Sequence, residues 1–280
     1  MRTKKYAVIG HPIGHTMSPF IHKRLFGLSG INAEYTALDI SPENFSDEYE
    51  KTLKNLDGYN VTIPHKRRII PLLDGLDEKA EMYGSVHTVR NLDGVSRGYT
   101  TDPDGFIKAL EAADIKIGGR TVILGCGGVA RTMAYEIALR GEPVCFAVRD
   151  KSIEKADALC GEIRAKVCGA RAELVPVSDL VGKIDLLINA TPVGMYPDCS
   201  SQPVSDSVIS DCAAVYDAIY NPLDTVLVKK ARANGAKAEG GMSMLVWQAV
   251  VAHEKWDGSS YDKEDISRLC ADCDEEMKKR

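Results

Sequence analysis

The sequence contains no hydrophobic run long enough to cross a membrane. A bilayer-spanning helix needs about 20 apolar residues, whereas the best candidate, residues 244–252, is much shorter and includes Gln248. The apolar segment of a secretion signal is also missing, because only residues 6–9 are continuously apolar near the N-terminus. We therefore expect a cytoplasmic protein that binds no membrane.

An excess of positive charge is absent as well. The chain has 35 Lys and Arg against 40 Asp and Glu, a formal net charge of -5, so it has no general attraction for a polyanion. We expect no nucleic-acid partner. Internal repeats and low-complexity segments are lacking, whereas 44% hydrophobic and 27% charged residues are ordinary values for a globular protein. The length of 280 residues then predicts about two domains.

Complete metal-ligand patterns are missing although the chain has eight cysteines. The cysteines are scattered and several lie in apolar runs, which is typical of buried thiols in a reducing compartment. Cys270 and Cys273 have the C-x-x-C spacing of a zinc-ligand pair, but no second pair or nearby histidine would complete the site. The sequence therefore predicts free thiols and no bound metal.

Short apolar runs alternate with amphipathic stretches along the whole chain. This alternation is typical of β-α units, which build a mainly parallel sheet covered by helices on both faces. The predicted fold class is therefore α/β. In the first part of the chain the predicted strands are residues 5–10, 33–39 and 58–62 and a hairpin of residues 87–91 and 95–99, and the predicted helices are residues 18–28 and one that starts at residues 41–42.

A second series of β-α units starts near residue 121 and indicates a second domain. The predicted strands there are residues 121–124, 143–148, 184–189 and 213–217, and the predicted helices are residues 130–140 and one after Pro222. A Gly240-Gly241 turn then precedes two further predicted helices, residues 242–255 and 263–278.

A glycine-rich turn joins the strand at residues 121–124 to the next helix. It consists of six mostly small residues, Gly125, Cys126, Gly127, Gly128, Val129 and Ala130. Glycines permit a tight turn and a close approach of backbone N–H groups to a pyrophosphate, and a small residue inside the helix allows close packing on the strand. The spacing predicts a dinucleotide site. A tight turn without a ligand is the alternative interpretation.

The residues after the next predicted strand decide which adenosine ribose would fit. Arg149 offers a planar cation for a 2′-phosphate, and Lys151 could assist it. Asp150 could instead accept hydrogen bonds from a free 2′-hydroxyl and would repel a phosphate. The two signals conflict, and a solvated charge cluster is the third interpretation.

Several sequence blocks, in the same order over nearly the whole chain, carry a resemblance to a known family. The blocks are residues 10–19, 58–66, 101–106, 189–195, 216–225 and 241–249. In these blocks the sequence resembles shikimate dehydrogenases. The resemblance implies a mixed α/β substrate-binding domain, residues 1–103 completed by the C-terminal helices 241–280, and a Rossmann-type doubly wound dinucleotide-binding domain, residues 104–240.

The resemblance implies that Lys66 and Asp102 are the catalytic pair. Lys66 matches the lysine of the family's N-V-T-x-P-x-K block, and Asp102 matches the aspartate of its N-T-D block. The chemistry agrees, because hydride transfer to a ketone needs a proton donor at the nascent alkoxide, and an ammonium beside a carboxylate can fill that role. A surface lysine and a helix-capping aspartate are the alternatives.

Six residues are implied to bind the substrate: Thr16, Ser18, Thr62, His87, Tyr220 and Gln248. Thr16 and Ser18 stand at a helix start, where hydroxyls and free N–H groups can hold a carboxylate, although simple helix caps would look the same. His87 and Thr100 depart from the family, which usually has asparagine at both positions. The other five histidines, expected to be structural or to face solvent, are His11, His15, His22, His65 and His253.

The resemblance also implies a cofactor site for NADP, with NAD as a second cofactor. Its ten residues are Gly125, Gly127, Gly128, Val129, Ala130, Arg149, Asp150, Asn189, Thr191 and Gly241. The implied activity is the reversible NADPH-dependent reduction of 3-dehydroshikimate to shikimate, in chorismate and aromatic amino-acid biosynthesis. The alternatives are a quinate/shikimate dehydrogenase using NAD or NADP, and a dinucleotide-binding regulator without turnover. The expected partner is a small-molecule substrate, bound to a monomer or homodimer.

Overall fold

The computed structural model describes residues 2–14 and 16–279, so the predicted role of His15 lies outside the described residues. The chain divides into two compact units. Unit 1 comprises the residues up to 105 together with residues 246–279, and unit 2 comprises residues 106–245. These limits lie a few residues beyond the predicted ones, 103 and 241. No helix in the described part of the chain is long and apolar enough to cross a membrane.

Strands and helices alternate, which confirms the α/β class. The strands are β1 (Lys4–Gly10), β2 (Ala33–Asp39), β3 (Gly58–Val61), β4 (Gly75–Leu76), β5 (Thr88–Leu92), β6 (Val95–Tyr99), β7 (Thr121–Leu124), β8 (Val144–Val148), β9 (Ala172–Pro176), β10 (Ile184–Asn189), β11 (Cys212–Asp217) and β12 (Lys237–Glu239). The α-helices are α1 (Ser18–Ser29), α2 (Phe45–Lys51), α3 (Glu78–Tyr83), α4 (Asp102–Ala112), α5 (Gly128–Leu139), α6 (Ile153–Lys166), α7 (Asp206–Ser210), α8 (Val226–Ala233), α9 (Met242–Asp257) and α10 (Lys263–Met277).

Unit 1 contains a mixed six-stranded sheet in the order β2-β1-β3-β5-β6-β4. Strand β1 pairs in parallel with β2 and β3, whereas β5 pairs antiparallel with both β3 and β6. The predicted hairpin is β5–β6. Its turn residues Asp93 and Gly94 have φ values of 52° and 78°, the left-handed backbone that joins two antiparallel strands with the correct twist.

The side chains of β1 alternate between two apolar clusters, as expected for a strand buried on both faces. Ala7 and Ile9 belong to one cluster, with Phe45 of α2. Tyr6 belongs to the other, with Trp256 of α9. Helix α2 begins at Phe45 rather than at the predicted residues 41–42, because residues 42–44 form a turn.

Unit 2 contains six parallel strands in the order β12-β11-β10-β7-β8-β9. Strands β7 and β8 are buried along their whole length, which is typical of parallel strands covered by helices on both faces. Strands β8 and β9 follow outward on the side of β7, and strands β11 and β12 follow outward on the side of β10. This is the doubly wound dinucleotide-binding arrangement. Ligands bind such sheets at the carboxyl ends of the strands where the order reverses, and the glycine-rich turn follows β7.

Candidate active site

The chain around Lys66 is fixed by its neighbours. Lys66 follows the end of β3 in a turn, and its carbonyl accepts a 2.9 Å hydrogen bond from the N–H of Val86. The preceding residue, His65, is fully buried, has Nε2 2.6 Å from the carbonyl oxygen of Ile40, and stacks on Phe45 with a centroid distance of 4.3 Å. His65 therefore has a structural role, and it orients the segment that carries Lys66.

Asp102 is the first residue of α4, where the helix dipole favours a negative charge. Its Oδ2 atom accepts a 2.5 Å hydrogen bond from Lys66 Nζ, and the two side chains are 19% and 24% exposed. Burial alone would raise the pKa of Asp102, but its electrostatic interactions with His87 and Lys66 and the hydrogen bond from Lys66 outweigh burial and keep the pKa below its usual value. The structure thus brings the predicted catalytic residues together as an ion pair.

His87 stands next to this pair. Its Nε2 atom lies 3.4 Å from Asp102 Oδ1, and its Nδ1 atom lies 2.7 Å from the hydroxyl of Thr101. Burial, together with the nearby Lys66 charge, lowers the pKa of His87 to about 4 against the opposite effect of Asp102. The ring is therefore neutral at physiological pH.

A buried chain of hydrogen bonds continues from His87 across the sheet. Thr101 and Thr88 hydroxyls are 3.0 Å apart, and Asn60 Nδ2 donates to Thr88 at 3.0 Å. Asn60 Oδ1 in turn accepts a 2.6 Å bond from the hydroxyl of Tyr35. Asn60 and Thr88 are paired across β3 and β5, so the sheet register itself aligns this part of the chain. We call the five residues Tyr35, Asn60, Thr88, Thr101 and His87 the polar chain.

Thr16 and Ser18 lie at the start of α1. The Thr16 hydroxyl accepts a 3.2 Å bond from the Ser18 N–H and donates to the Ser18 hydroxyl at 3.1 Å. Burial raises the pKa of Tyr35 and the Ser18 side chain acts against this rise, which connects the predicted carboxylate-binding residues to the polar chain. The residue in the N-cap position of α1 is Met17, and its side chain makes no capping hydrogen bond.

The other predicted substrate residues are divided between the units. Thr62, half-buried, follows β3 and contributes its N–H to the carbonyl of Ile9 at 2.9 Å, and Gln248 is 4% exposed on α9 of unit 1. Tyr220 lies in unit 2, after β11. Burial raises the pKa of Tyr220, so its hydroxyl keeps its proton at neutral pH.

Unit 2 contains a cavity of about 220 Å³ at the carboxyl ends of β7, β8 and β10. Four of the predicted cofactor residues line it: Gly125, Gly127, Arg149 and Thr191. Gly125 has a φ of +91°, and a Cβ there would lie 2.9 Å from Thr191 Cγ2, so this position requires glycine. Gly127 is the N-cap residue of α5, where no side chain caps the helix, and a Cβ there would meet nothing within 4 Å. The turn thus leaves room at a helix N-terminus, which fits a phosphate group.

Six predicted cofactor residues do not line this cavity: Gly128, Val129, Ala130, Asp150, Asn189 and Gly241. Ala130 is fully buried within α5, and Asp150 is exposed. Asn189 is also fully buried; it donates to Asp217 and accepts from the N–H and hydroxyl of Thr191. Its side chain therefore shapes the loop that lines the cavity.

Gly241 precedes α9 and is required by packing. A Cβ at this position would lie 2.3 Å from the carbonyl oxygen of Ala218, a distance that no side chain allows. Its backbone N–H bonds to the carbonyl of Ile219 at 2.9 Å. The need for glycine here is thus explained by the approach of two backbone segments.

Comparison with known proteins identifies the family of this chain. Residues 8–89 match the family model described as the shikimate dehydrogenase substrate binding domain. A shikimate dehydrogenase (NADP(+)) of Caldanaerobacter subterraneus is 38% identical over 267 residues, which cover 94% of each chain. One of Methanocaldococcus jannaschii is 38% identical over 264 residues, which cover 92% of each. The chain belongs to the shikimate dehydrogenase family.

A solved family structure has the same fold. The shikimate 5-dehydrogenase of Thermus thermophilus, in complex with NADP(H) and shikimate, superposes with a TM-score of 0.86 at 31% identity and covers 97% of this chain and 100% of its own. The resemblance drawn from the sequence blocks and the predicted α/β fold class are both confirmed.

Sequence reasoning missed several residues of this shikimate dehydrogenase family member. Ser152 and Lys155 line the unit 2 cavity beside Arg149. Lys155, in the first turn of α6, rather than the predicted Lys151, is the second cation there. The signal for it was the apolar periodicity of residues 153–163, which places a helix start close to the end of β8.

The polar chain residues Tyr35, Asn60, Thr88 and Thr101 were also missed. Asn60, Thr88 and Thr101 are at most 2% exposed. Polar side chains at positions where a strand pattern predicts burial were the available signal, since a buried polar group needs a partner.

Proposed function

We propose that this protein is a shikimate dehydrogenase that reversibly reduces 3-dehydroshikimate to shikimate with NADPH. The observation that carries the proposal is the ion pair of Lys66 and Asp102. These residues are 36 positions apart in sequence, their Nζ and Oδ2 atoms are 2.5 Å apart, and the pair lies next to His87 of the polar chain. Together with family membership, this pair provides the acid-base group that carbonyl reduction needs.

Unit 1 has groups for each polar part of the substrate. The hydroxyls of Thr16 and Ser18, at the N-terminus of α1, suit the carboxylate, because helix N-termini stabilise anions. Thr62, His87 and Gln248 are the proposed partners of the ring hydroxyls. A hydroxylated acid of one negative charge can thus be bound by local donors although the protein carries a net charge of -5.

Lys66 is the proposed proton donor in ketone reduction and the proton acceptor in the reverse direction. A nicotinamide cofactor held by unit 2 would supply the hydride for this reduction and accept it in the reverse direction. As negative charge develops on the carbonyl oxygen, the Lys66 ammonium stabilises it and transfers a proton to it. Asp102 holds Lys66 in place through the hydrogen bond from Nζ to Oδ2.

The cavity of unit 2 is the proposed NADP site. Arg149 and Lys155 both line it, whereas Asp150 does not. Two cations match a 2′-phosphate, which a guanidinium binds with paired hydrogen bonds. The open space at Gly127 and the N-terminus of α5 suit the pyrophosphate. This arrangement favours NADP over NAD, and a cytoplasmic location agrees with the eight free cysteines.

An absorbance assay at 340 nm tests the proposal. Purified protein is incubated with shikimate or quinate and with NADP⁺ or NAD⁺, in all four combinations, with omission of each component as the control. We expect the highest kcat/KM for shikimate with NADP⁺. A higher value for quinate with NAD⁺ would replace the proposed substrate and cofactor, and calorimetric NADP⁺ binding without turnover of any acid would identify a regulator.

A further inference from the structure

We propose that His87 is a positioning residue for the Lys66–Asp102 pair, held by the Thr101 hydroxyl as the neutral tautomer that carries its proton on Nε2 and directs it at Asp102. The inference deepens the proposed function and rests on it for its catalytic consequence. In this arrangement one carboxylate is held from both sides, by Lys66 at Oδ2 and by His87 at Oδ1.

The polar chain fixes its own hydrogen-bond direction. Tyr35 donates to the carbonyl oxygen of Asn60, so the amide nitrogen of Asn60 points at Thr88 and donates to it. Each hydroxyl has a single proton to donate. Among the described residues Thr88 Oγ1 contacts only Asn60 and Thr101, so its proton has an acceptor only if it goes to Thr101.

Thr101 must then donate onward. Its hydroxyl accepts from Thr88, and the remaining polar partner is His87 Nδ1, 2.7 Å away. The reverse direction would leave the proton of Thr88 without an acceptor at a residue that is fully buried, which costs more than the bond itself is worth. Nδ1 of His87 is therefore an acceptor.

The proton of the neutral His87 ring is consequently on Nε2. That atom faces Asp102 Oδ1 at 3.4 Å, longer than an ideal hydrogen bond but close enough for a directed electrostatic contact, and such contacts shorten when substrate binds. The other tautomer would point a lone pair at a carboxylate oxygen. The Lys66 hydrogen bond at Oδ2 and the ring proton directed at Oδ1 together favour the ionised carboxylate and its orientation toward Lys66.

The charges that face His87 define the expected pH effect. Asp102 and Lys66 stand on its Nε2 side, and His22 of α1 interacts with it electrostatically. The active state needs Asp102 ionised. Removal of the Nε2 proton donor raises the pKa of Asp102, so activity is lost at a higher pH when the solution is acidified. The acidic limb of the kcat/KM profile should therefore move upward.

The test combines five variants, including His87→Asn and its double variant with Thr101→Val, with a pH profile of kcat/KM. Thr101→Val keeps the shape of Thr101 and removes the hydroxyl, so the acidic limb should rise by about one pH unit, the equivalent of one hydrogen bond to a charged group. Thr101→Ser should restore the parent limb. In a His87→Asn background Thr101→Val should cause no additional shift. Thr121→Val, another buried threonine, in unit 2, is the control and should leave the profile unchanged.

Nitrogen-15 NMR of the histidine rings gives a second measurement that does not depend on turnover. In the parent, His87 should show a protonated Nε2 and an unprotonated Nδ1 between pH 6 and 8, and Thr101→Val should change this pattern. A proton on Nδ1, a charged ring at neutral pH, or an unmoved acidic limb in a folded Thr101→Val variant would overturn the proposal. If the tautomer is found but no acid is oxidised, the proposed function fails and the tautomer assignment stands.

Discussion

The two units differ sharply in the groups that can exchange protons near neutral pH. All six histidines of the sequence belong to the residues of unit 1, and unit 2 has none. Six of the eight cysteines are in unit 2, whereas both tryptophans are in unit 1. Histidine is the side chain whose charge changes between pH 5 and 8, so the proposed proton chemistry and the pH sensitivity are confined to one unit.

The sheets explain the division of labour. In the parallel sheet of unit 2, β7 is followed by the glycine-rich turn and the N-terminus of α5. The backbone N–H groups there suit a phosphate without any titrating side chain. The mixed sheet of unit 1 pairs β3 with the antiparallel β5 and so places Asn60 beside Thr88. Side chains rather than backbone groups therefore form the site of unit 1.

The largest effect is expected from a change in the proposed catalytic pair of unit 1. Asp102→Asn removes the charge that holds Lys66 while keeping the shape of the side chain, and we expect kcat to fall by about 100-fold to 1,000-fold. The dissociation constant of NADP⁺, measured by calorimetry, should stay within about two-fold of the parent, since unit 2 is unchanged. A parallel loss of NADP⁺ binding would show that the two functions are not separate.

A smaller effect is expected at the dinucleotide side. Arg149→Ala should raise the dissociation constant of NADP⁺ by about 10-fold to 100-fold, the value of a hydrogen-bonded ion pair with a phosphate, and leave that of NAD⁺ nearly unchanged. Lys151→Ala is the matched control, because Lys151 is exposed and does not line the cavity. Equal weakening of both dinucleotides would contradict the role of Arg149.

The pH dependence of stability should separate the units. Burial lowers the pKa of His22 well below 6.5 and that of His253 to about 3. Below about pH 6.5 the unfolded chain binds protons at these histidines and the native chain does not, so unit 1 loses about 1.4 kcal/mol per histidine for each pH unit. In unit 2 the hydrogen bond from Arg131 lowers the pKa of Glu162 to about 2, so its contribution is lost only between about pH 4.5 and pH 2.

Two probes read the units independently. Tryptophan fluorescence reports on unit 1. In a Cys273→Ala background, which removes the buried thiol of unit 1, labelling of the buried thiols Cys145, Cys160 and Cys212 by 4,4′-dithiodipyridine reports on unit 2. Between pH 6.5 and pH 4.5 the denaturant midpoint from fluorescence should fall while the thiol midpoint stays constant, and His253→Gln should reduce the slope. Coincident midpoints at every pH would show that the units unfold as one.

The smallest effects are changes in stability expected from substituting one helical glycine in each unit. Gly27 of α1 and Gly161 of α6 lie inside helices, and a Cβ at either would meet nothing within 4 Å. Alanine should therefore stabilise each helix by about 0.5 to 1 kcal/mol, with Gly27→Ala visible in fluorescence and Gly161→Ala in thiol labelling. Gly58→Ala should do the opposite, since its Cβ would lie 2.5 Å from Trp256 Nε1.

Much of the fold was predictable because most of its longer strands have strong local patterns. The predicted limits of β2, β7 and β10 agree with the structure residue for residue. Strands β4 and β12 have two and three residues; they exist through pairing with neighbours, which a local pattern does not contain. Helix α6 was missed although Ile153, Ala156, Cys160 and Ile163 recur at helical spacing, because Gly161 interrupts the pattern.

Site residues were predictable where the residue type and a sequence motif point to the same role. They were less predictable where a residue's role depends on its contacts in the folded chain. Lys66 and Asp102 were found from the motifs, and the structure pairs them. Asn189 was predicted at the cofactor as part of a block whose backbone lines the site, and its fully buried side chain supports that loop. The polar chain arises from the register of β3 and β5 and the position of Thr101, which only the folded chain shows.

The most direct test of the central claim is one pair of measurements on Lys66→Met. The claim is that Lys66 of unit 1 transfers the proton while unit 2 binds the dinucleotide. The account predicts that shikimate oxidation followed at 340 nm falls by at least about 100-fold while NADP⁺ binds as in the parent. Turnover at the parent rate, or loss of NADP⁺ binding together with turnover, would contradict it.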